Sequence, residues 1–247
     1  MEKIISEKAW KEYISTLSKI NKKATDMITE YINKHGMNDR KALIDYAFAV
    51  VTKYSEASGA LAATWCEQIA DVEGRKYLSA LVADTPEYSD VAKTINGILK
   101  TSDNTERISS AAASLVKRTA ADTTLQNASH FGAEYAWIPM GDTCAYCMEL
   151  ASLGWQKASK KMMDGHHAEH IHPNCDCQFA IRFNNKTRYK SYDSDRYKKM
   201  FDEAEGETMD EKRNYIRRMQ YQNPEVRDRI NEQKRELYQQ NKENEDS

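Results

Sequence analysis

Four of the five cysteines fall between positions 144 and 177, in two strings whose spacing is that of metal ligands. Cys144-Ala-Tyr-Cys147 is a C-x-x-C pair, and a two-residue gap lets both sulfurs face one ion from a tight turn. His172-Pro-Asn-Cys175-Asp-Cys177 follows it. Together they offer five soft or borderline donors, which suits tetrahedral Zn²⁺ with thiolates at ~2.3 Å and imidazole at ~2.0 Å. One ligand set is Cys144, Cys147, His172 and Cys175. The other is four thiolates, with Cys177 in place of His172. The competing reading is a disulfide or a set of free thiols. In a reducing compartment clustered cysteines are more often metal ligands.

The chain between the two strings adds His166, His167 and His170 in Asp164-Gly-His-His-Ala-Glu-His, read as a solvated loop. His167-Ala-Glu169 matches the H-x-E string of zinc deaminases, in which the Glu is the acid/base. There a P-C-x-x-C follows the H-x-E. Here the C-x-x-C precedes it and no second one follows, so that reading is set aside. No H-E-x-x-H, phosphate-binding Gly loop or G-x-S-x-G occurs. Four protein ligands leave no open position for water, so the expected zinc is structural and the chain is expected not to be an enzyme. The rival is a zinc-dependent hydrolase or nuclease, which would need an open coordination position and a carboxylate such as Glu149 or Glu169.

The elements that must hold these donors are mainly helical. Of 247 residues 30% are charged and 40% hydrophobic, with only 9 Gly and 4 Pro, and mean hydropathy is −0.81. That favours long helices with wide solvated faces. The net charge of −2 gives the chain as a whole no footprint for nucleic acid. No apolar run approaches ~20 residues and the N-terminus lacks a signal core, so no membrane association is expected.

Residues 7–34 carry an apolar stripe at helical spacing from Trp10 to Ile32, ended by Gly36. Asn38 can cap a second helix from Asp39 to about Val72. In it, the small residues Ala57, Gly59, Ala60, Ala62 and Ala63 predict close packing on a neighbouring helix. A short helix and a turn at 84–86 are expected next, then helices over 89–99 and from Asn104 or Thr105 to about Ser129. Residues 135–139 and 178–183 have strand composition and flank the Cys/His strings, with helical turns over 145–153 ended by Gly154. Helices over 193–203, 208–222 and 224–239 form a charged, solvated C-terminal arm with a disordered tail. The fold class is therefore mainly α: a helical domain over 1–130, a small zinc-clasped α+β knuckle over 131–183, and the arm over 184–247.

The cysteine segment resembles the phage MuF-type minor head, or head morphogenesis, proteins. Those carry a Trp, then Asp-x-x-Cys-x-x-Cys, a short Leu/Gly segment and His-Pro-x-Cys-x-Cys. Trp137, Asp142, Cys144, Cys147, Leu150, Gly154, His172, Pro173, Cys175 and Cys177 fall on that pattern. The likeness covers roughly residues 110–183. It implies a minor capsid component of the virion, assembled in the host cytoplasm and held inside the head near the portal, acting in head assembly or DNA delivery. The implied partners are the portal protein and other head proteins, with packaged DNA a further candidate. Some relatives are fused to a maturation protease or a toxin domain. No nucleophile with an accompanying base stands here, so those activities are not carried over.

Overall fold

The computed structural model of the chain describes residues 2–140, 144–159 and 177–224. His172, Cys175, the His-rich loop with Glu169, and the helix expected over 224–239 apart from its first residue lie outside these. In chain order the elements are β1 (Lys3–Ile5), α1 (Glu7–His35), α2 (Arg40–Val72), α3 (Tyr88–Leu99), α4 (Thr105–His130), β2 (Glu134–Ile138), α5 (Ala145–Ser152), β3 (Gln156–Lys157), β4 (Gln178–Arg182), β5 (Thr187–Tyr189), α6 (Ser194–Asp202) and α7 (Met209–Gln222). The described chain is mainly helical with two small sheets. No described helix is long and apolar enough to cross a membrane.

Helices α1 and α2 form because each buries one stripe. On α1, Trp10, Tyr13, Ile14, Leu17, Ala24, Ile28 and Ile32 recur at three- and four-residue steps, and all are buried. Ser6 caps the start by accepting the Ala9 N–H at 3.1 Å. Gly36 closes the end at φ +71°, donating its N–H to the Ile32 carbonyl. The cap of α2 is Asp39 rather than Asn38, because the Asp39 carboxylate is the group that reaches the Ala42 N–H, at 3.0 Å. At ~1.5 Å per residue the two helices are about 44 and 50 Å long. The small residues of α2 do permit close approach. Ser58 donates to the Val116 carbonyl of α4 at 2.9 Å, and a Cβ on Gly59 would stand 2.7 Å from a Val82 methyl and 3.3 Å from a Thr119 methyl.

Residues 78–87 depart from expectation. They form neither helix nor strand, because side chains of α2 and α4 take backbone groups that a helix would bond internally. The Asn127 amide accepts the Leu81 N–H at 2.8 Å and donates to the Leu81 carbonyl at 2.7 Å. Thr123 accepts the Ala83 N–H, and Glu67 accepts that of Ala80. Leu81 and Ala83 are about 6.6 Å apart in extended chain, and Asn127 and Thr123 about 6 Å apart on a helix, so the two spacings match.

The chain divides into two compact units: Met1–Gly141 with Gly154–Asp193, and Asp142–Leu153 with Ser194–Ser247. This partition differs from three consecutive segments, for a reason visible in the cores. In the first unit β2 lies between β3 and β4, antiparallel to both, in register Tyr135 opposite Ile181 and Trp137 opposite Phe179. β1 pairs in parallel with β5, Ile5 opposite Tyr189. Ile138, Ile181, Phe183 and Tyr189 then share one buried cluster with Trp10, Tyr13, Trp65 and Ile69 of the helices. A second cluster packs α1 to α4 around Ile28, Leu43, Val51, Val91, Ile95, Ile108 and Val116. The helical assembly and the β segment are thus one body. In the second unit α5 packs with α6 and α7 around Ala145, Phe201, Ala204 and Ile216, so the arm is not simply a solvated extension.

Polar groups tie the end of α2 to the strands. Glu73 accepts the Phe183 N–H at 3.0 Å and an Asn184 side-chain N–H, although burial still pushes its carboxyl above the usual range. Arg182, nearly buried, holds Glu134 at 2.7 Å, donates to the Thr187 carbonyl and lies 4.4 Å over the Trp155 ring.

Cys66, in the same buried cluster as Trp10, Tyr13 and Trp65, reads as a core cysteine and is fully buried. Burial pushes its thiol from 9.0 up to about 12. Below pH 9 both folded and unfolded thiols keep the proton. Above it the unfolded thiol ionises while the buried one does not, so stability falls as pH rises from 9 to 12, by up to about 1.4 kcal/mol per unit. Denaturant midpoints should drop over that window. The slope between pH 9 and 10 should flatten in Cys66→Ala, and an unchanged slope would show that Cys66 does not control it.

Candidate metal centre

Cys144 is the N-cap of α5, with extended backbone (φ −67°, ψ 159°), and its Sγ accepts the Cys147 N–H at 3.5 Å. Cys147 is buried three positions on, a step that returns to nearly the same side of the helix. An N-cap sulfur receives a backbone amide and sits at the positive end of the helix dipole. Both favour the thiolate, the form that binds metal. Cys177, also buried, immediately precedes β4, and its Sγ accepts the Met140 N–H at 3.3 Å, just past the end of β2. It too is a sulfur held by an amide donor. These donors therefore fit zinc in chemical type.

The other two candidate ligands, His172 and Cys175, lie outside the described residues. Among the described residues no group of three or more His, Cys, Asp or Glu side chains is gathered to hold a metal. The ligand set is accordingly carried by sequence spacing together with the amide-to-sulfur bonds at Cys144 and Cys177.

Glu149, one of the two carboxylates required by a hydrolytic reading, is largely buried and paired. Its Oε2 lies 3.0 Å from an Arg213 guanidinium nitrogen of α7. The approach lacks the alignment of a hydrogen bond, so the contact is Coulombic. The Arg213 guanidinium also lies 5.9 Å from the centre of the Tyr146 ring and 2.5 Å from Asp210. Burial raises the Tyr146 phenol above its ordinary value, with Glu149 adding to the shift and Arg213 opposing it. Glu169 falls outside the described residues. His35 and His130 end α1 and α4, where their rings lie against Tyr31 and Phe131, each at 4.6 Å.

The residue that spacing alone did not reveal is Arg213. It sits in a stretch of alternating charges, and nothing local marks it off from Arg217 or Arg218. The available signal is Ile216, an apolar residue among charges, which is buried with Tyr215 packed beside it, while Met219 is exposed.

The family model described as VG15 protein matches residues 4–204, a span that includes the long helices and both cysteine strings. No curated protein and no solved structure matches the chain.

Proposed function

Because this chain belongs to the VG15 protein family, a viral and phage family, we propose that it is a phage minor head protein, a structural part of the virion inside the head that contacts the portal during assembly or DNA delivery. The observation that carries this reading is the family match across residues 4–204. Within that span stands the string from Trp137 through Cys144 and Cys147 to His172, Cys175 and Cys177, which has the MuF-type order. We propose also that zinc held by four of these five donors is a folding element and not a catalyst. Support comes from the donor types, from the amide-held sulfurs of Cys144 and Cys177, and from the engagement of Glu149 by Arg213. The partners on this reading are the portal protein and other head proteins, with packaged DNA a further candidate.

The purified chain should carry about one equivalent of zinc and should co-purify with a portal ring. Glu169→Gln separates the structural reading from its rival, because it removes a base while keeping size and hydrogen bonding. A structural ion needs its ligands but no proton acceptor. Particles carrying Glu169→Gln should therefore assemble and infect as wild type does. A catalytic carboxylate would instead cost on the order of 10²-fold or more in rate. Normal assembly with lost infectivity and retained zinc would replace the structural reading with an enzymatic one.

A further inference from the structure

We propose that the C-terminal arm is the outer support of the metal-binding helix, with Arg213 as the residue that positions Cys147. The inference rests on the zinc reading above and concerns only α5, α6 and α7. Arg213 contacts the chain on both sides of Cys147. Its guanidinium lies over Tyr146, one residue before the cysteine, and pairs at 3.0 Å with Glu149, two residues after it. The side chains of Arg213 and Glu149 are 22% and 16% exposed, so the pair is shielded from solvent screening far better than the surface pairs of α1. On the apolar side Ala145 and Met148 of α5 meet Phe201, Ala204, Tyr215 and Ile216.

Helix α5 has eight residues, and a helix that short does not persist in water by its own hydrogen bonds. Its direction and rotation are therefore set by what grips it. Arg213 and the arm's apolar residues together grip the face of α5 that carries Ala145, Tyr146, Met148 and Glu149, which fixes the rotation of the helix and so the direction of Cys147 on its opposite side. Metal affinity depends on such outer partners because a ligand held in its bonding orientation loses less freedom on binding. An arginine suits the task. Its planar fork reaches Glu149 and Asp210 together, whereas a lysine offers one compact charge.

The test is the zinc affinity of the full chain, measured by competition with a chelating dye. It is paired with the ligand-field bands of the cobalt-substituted protein, which report ligand geometry. Arg213→Ala should weaken zinc by about 10–100-fold and shift the cobalt bands. Arg213→Lys should recover part of both. Glu149→Gln, which keeps the shape of the side chain, should weaken zinc in the same direction, and the double variant should be less than the sum of the two singles. Asp210→Ala should change affinity by no more than about twofold, since that carboxylate is 84% exposed. If Arg213→Ala fails to fold by circular dichroism, Glu149→Gln carries the test alone. Zinc bound equally well by wild type, Arg213→Ala and Glu149→Gln overturns the inference and leaves the zinc reading standing. A wild-type chain that binds no zinc overturns the zinc reading, and this inference with it.

Discussion

In Cys144→Ser and Cys147→Ser, amide protection should vanish from α5, α6 and α7 while α1 to α4 and the β2–β4 pair keep theirs. The three affected helices have 8, 9 and 14 residues, all at or below the length at which an isolated helix is stable. Among the described residues their shared core has four buried side chains, Ala145, Phe201, Ala204 and Ile216, two of them alanines. So small an apolar core does not offset the entropy of ordering these segments. A structural zinc contributes on the order of 10 kcal/mol of apparent folding free energy at neutral pH, enough to decide the balance. Losing a thiolate ligand should cost more affinity than the ~10–100-fold of a change in an outer partner. Hydrogen exchange read peptide by peptide checks the pattern, and chelation of the wild type should reproduce it. Full protection of residues 194–222 in the metal-free chain would show that the arm folds without the ion.

Trp10→Ala should lower global stability by about 3–5 kcal/mol, the usual cost of emptying a large aromatic site in a core. Trp10 is fully buried, and its ring lies 5.4 Å from Tyr13, 5.8 Å from Trp65 and 5.3 Å from Tyr189, centre to centre. Its indole N–H is buried with no hydrogen-bond partner, so the loss is one of packing rather than of a polar contact. Because Tyr189 belongs to β5 and also donates to the Ile181 carbonyl of β4, the cavity opens where helices and strands meet. Helical and strand amides of the first unit should therefore lose protection together, in one transition displaced by on the order of 10 °C. If the strands survived while the helices melted, the consecutive division at residue 130 would be the true one.

The sequence made the long helices legible because their evidence is local. The stripe of α1 repeats every three or four residues, and Asn104 stands where α4 begins, accepting the Arg107 N–H at 2.7 Å. The strands β2 and β4 were legible from β-branched and aromatic composition. What escaped has its cause far along the chain. β1 has three residues, too few to show a period, and its partner lies more than 180 positions away. The extended path of residues 78–87 is decided by Asn127, Thr123 and Glu67, and no propensity within the segment reports them.

At the candidate metal centre, residue types and spacing name the possible donors but do not choose among them. Cys175 and Cys177 are two apart, and alternate residues of an extended chain share a face, so spacing keeps both as candidates. Nor does spacing tell which helices buttress Cys147. That information resides in the packing of Arg213, Phe201 and Ile216, and the even mixture of charges in the arm conceals it.

The second unit is discontinuous in sequence, and this sets an order of events during synthesis. The residues of α5 leave the ribosome about 70 residues before α7 is complete, roughly 4–14 s at common elongation rates. For that interval the thiols of Cys144 and Cys147 belong to a chain whose supporting helices do not yet exist, while the long helices of the first unit are already made and free to pair. The nascent cysteine pair is thus open to premature metal capture or oxidation until the helices of its own unit have been translated.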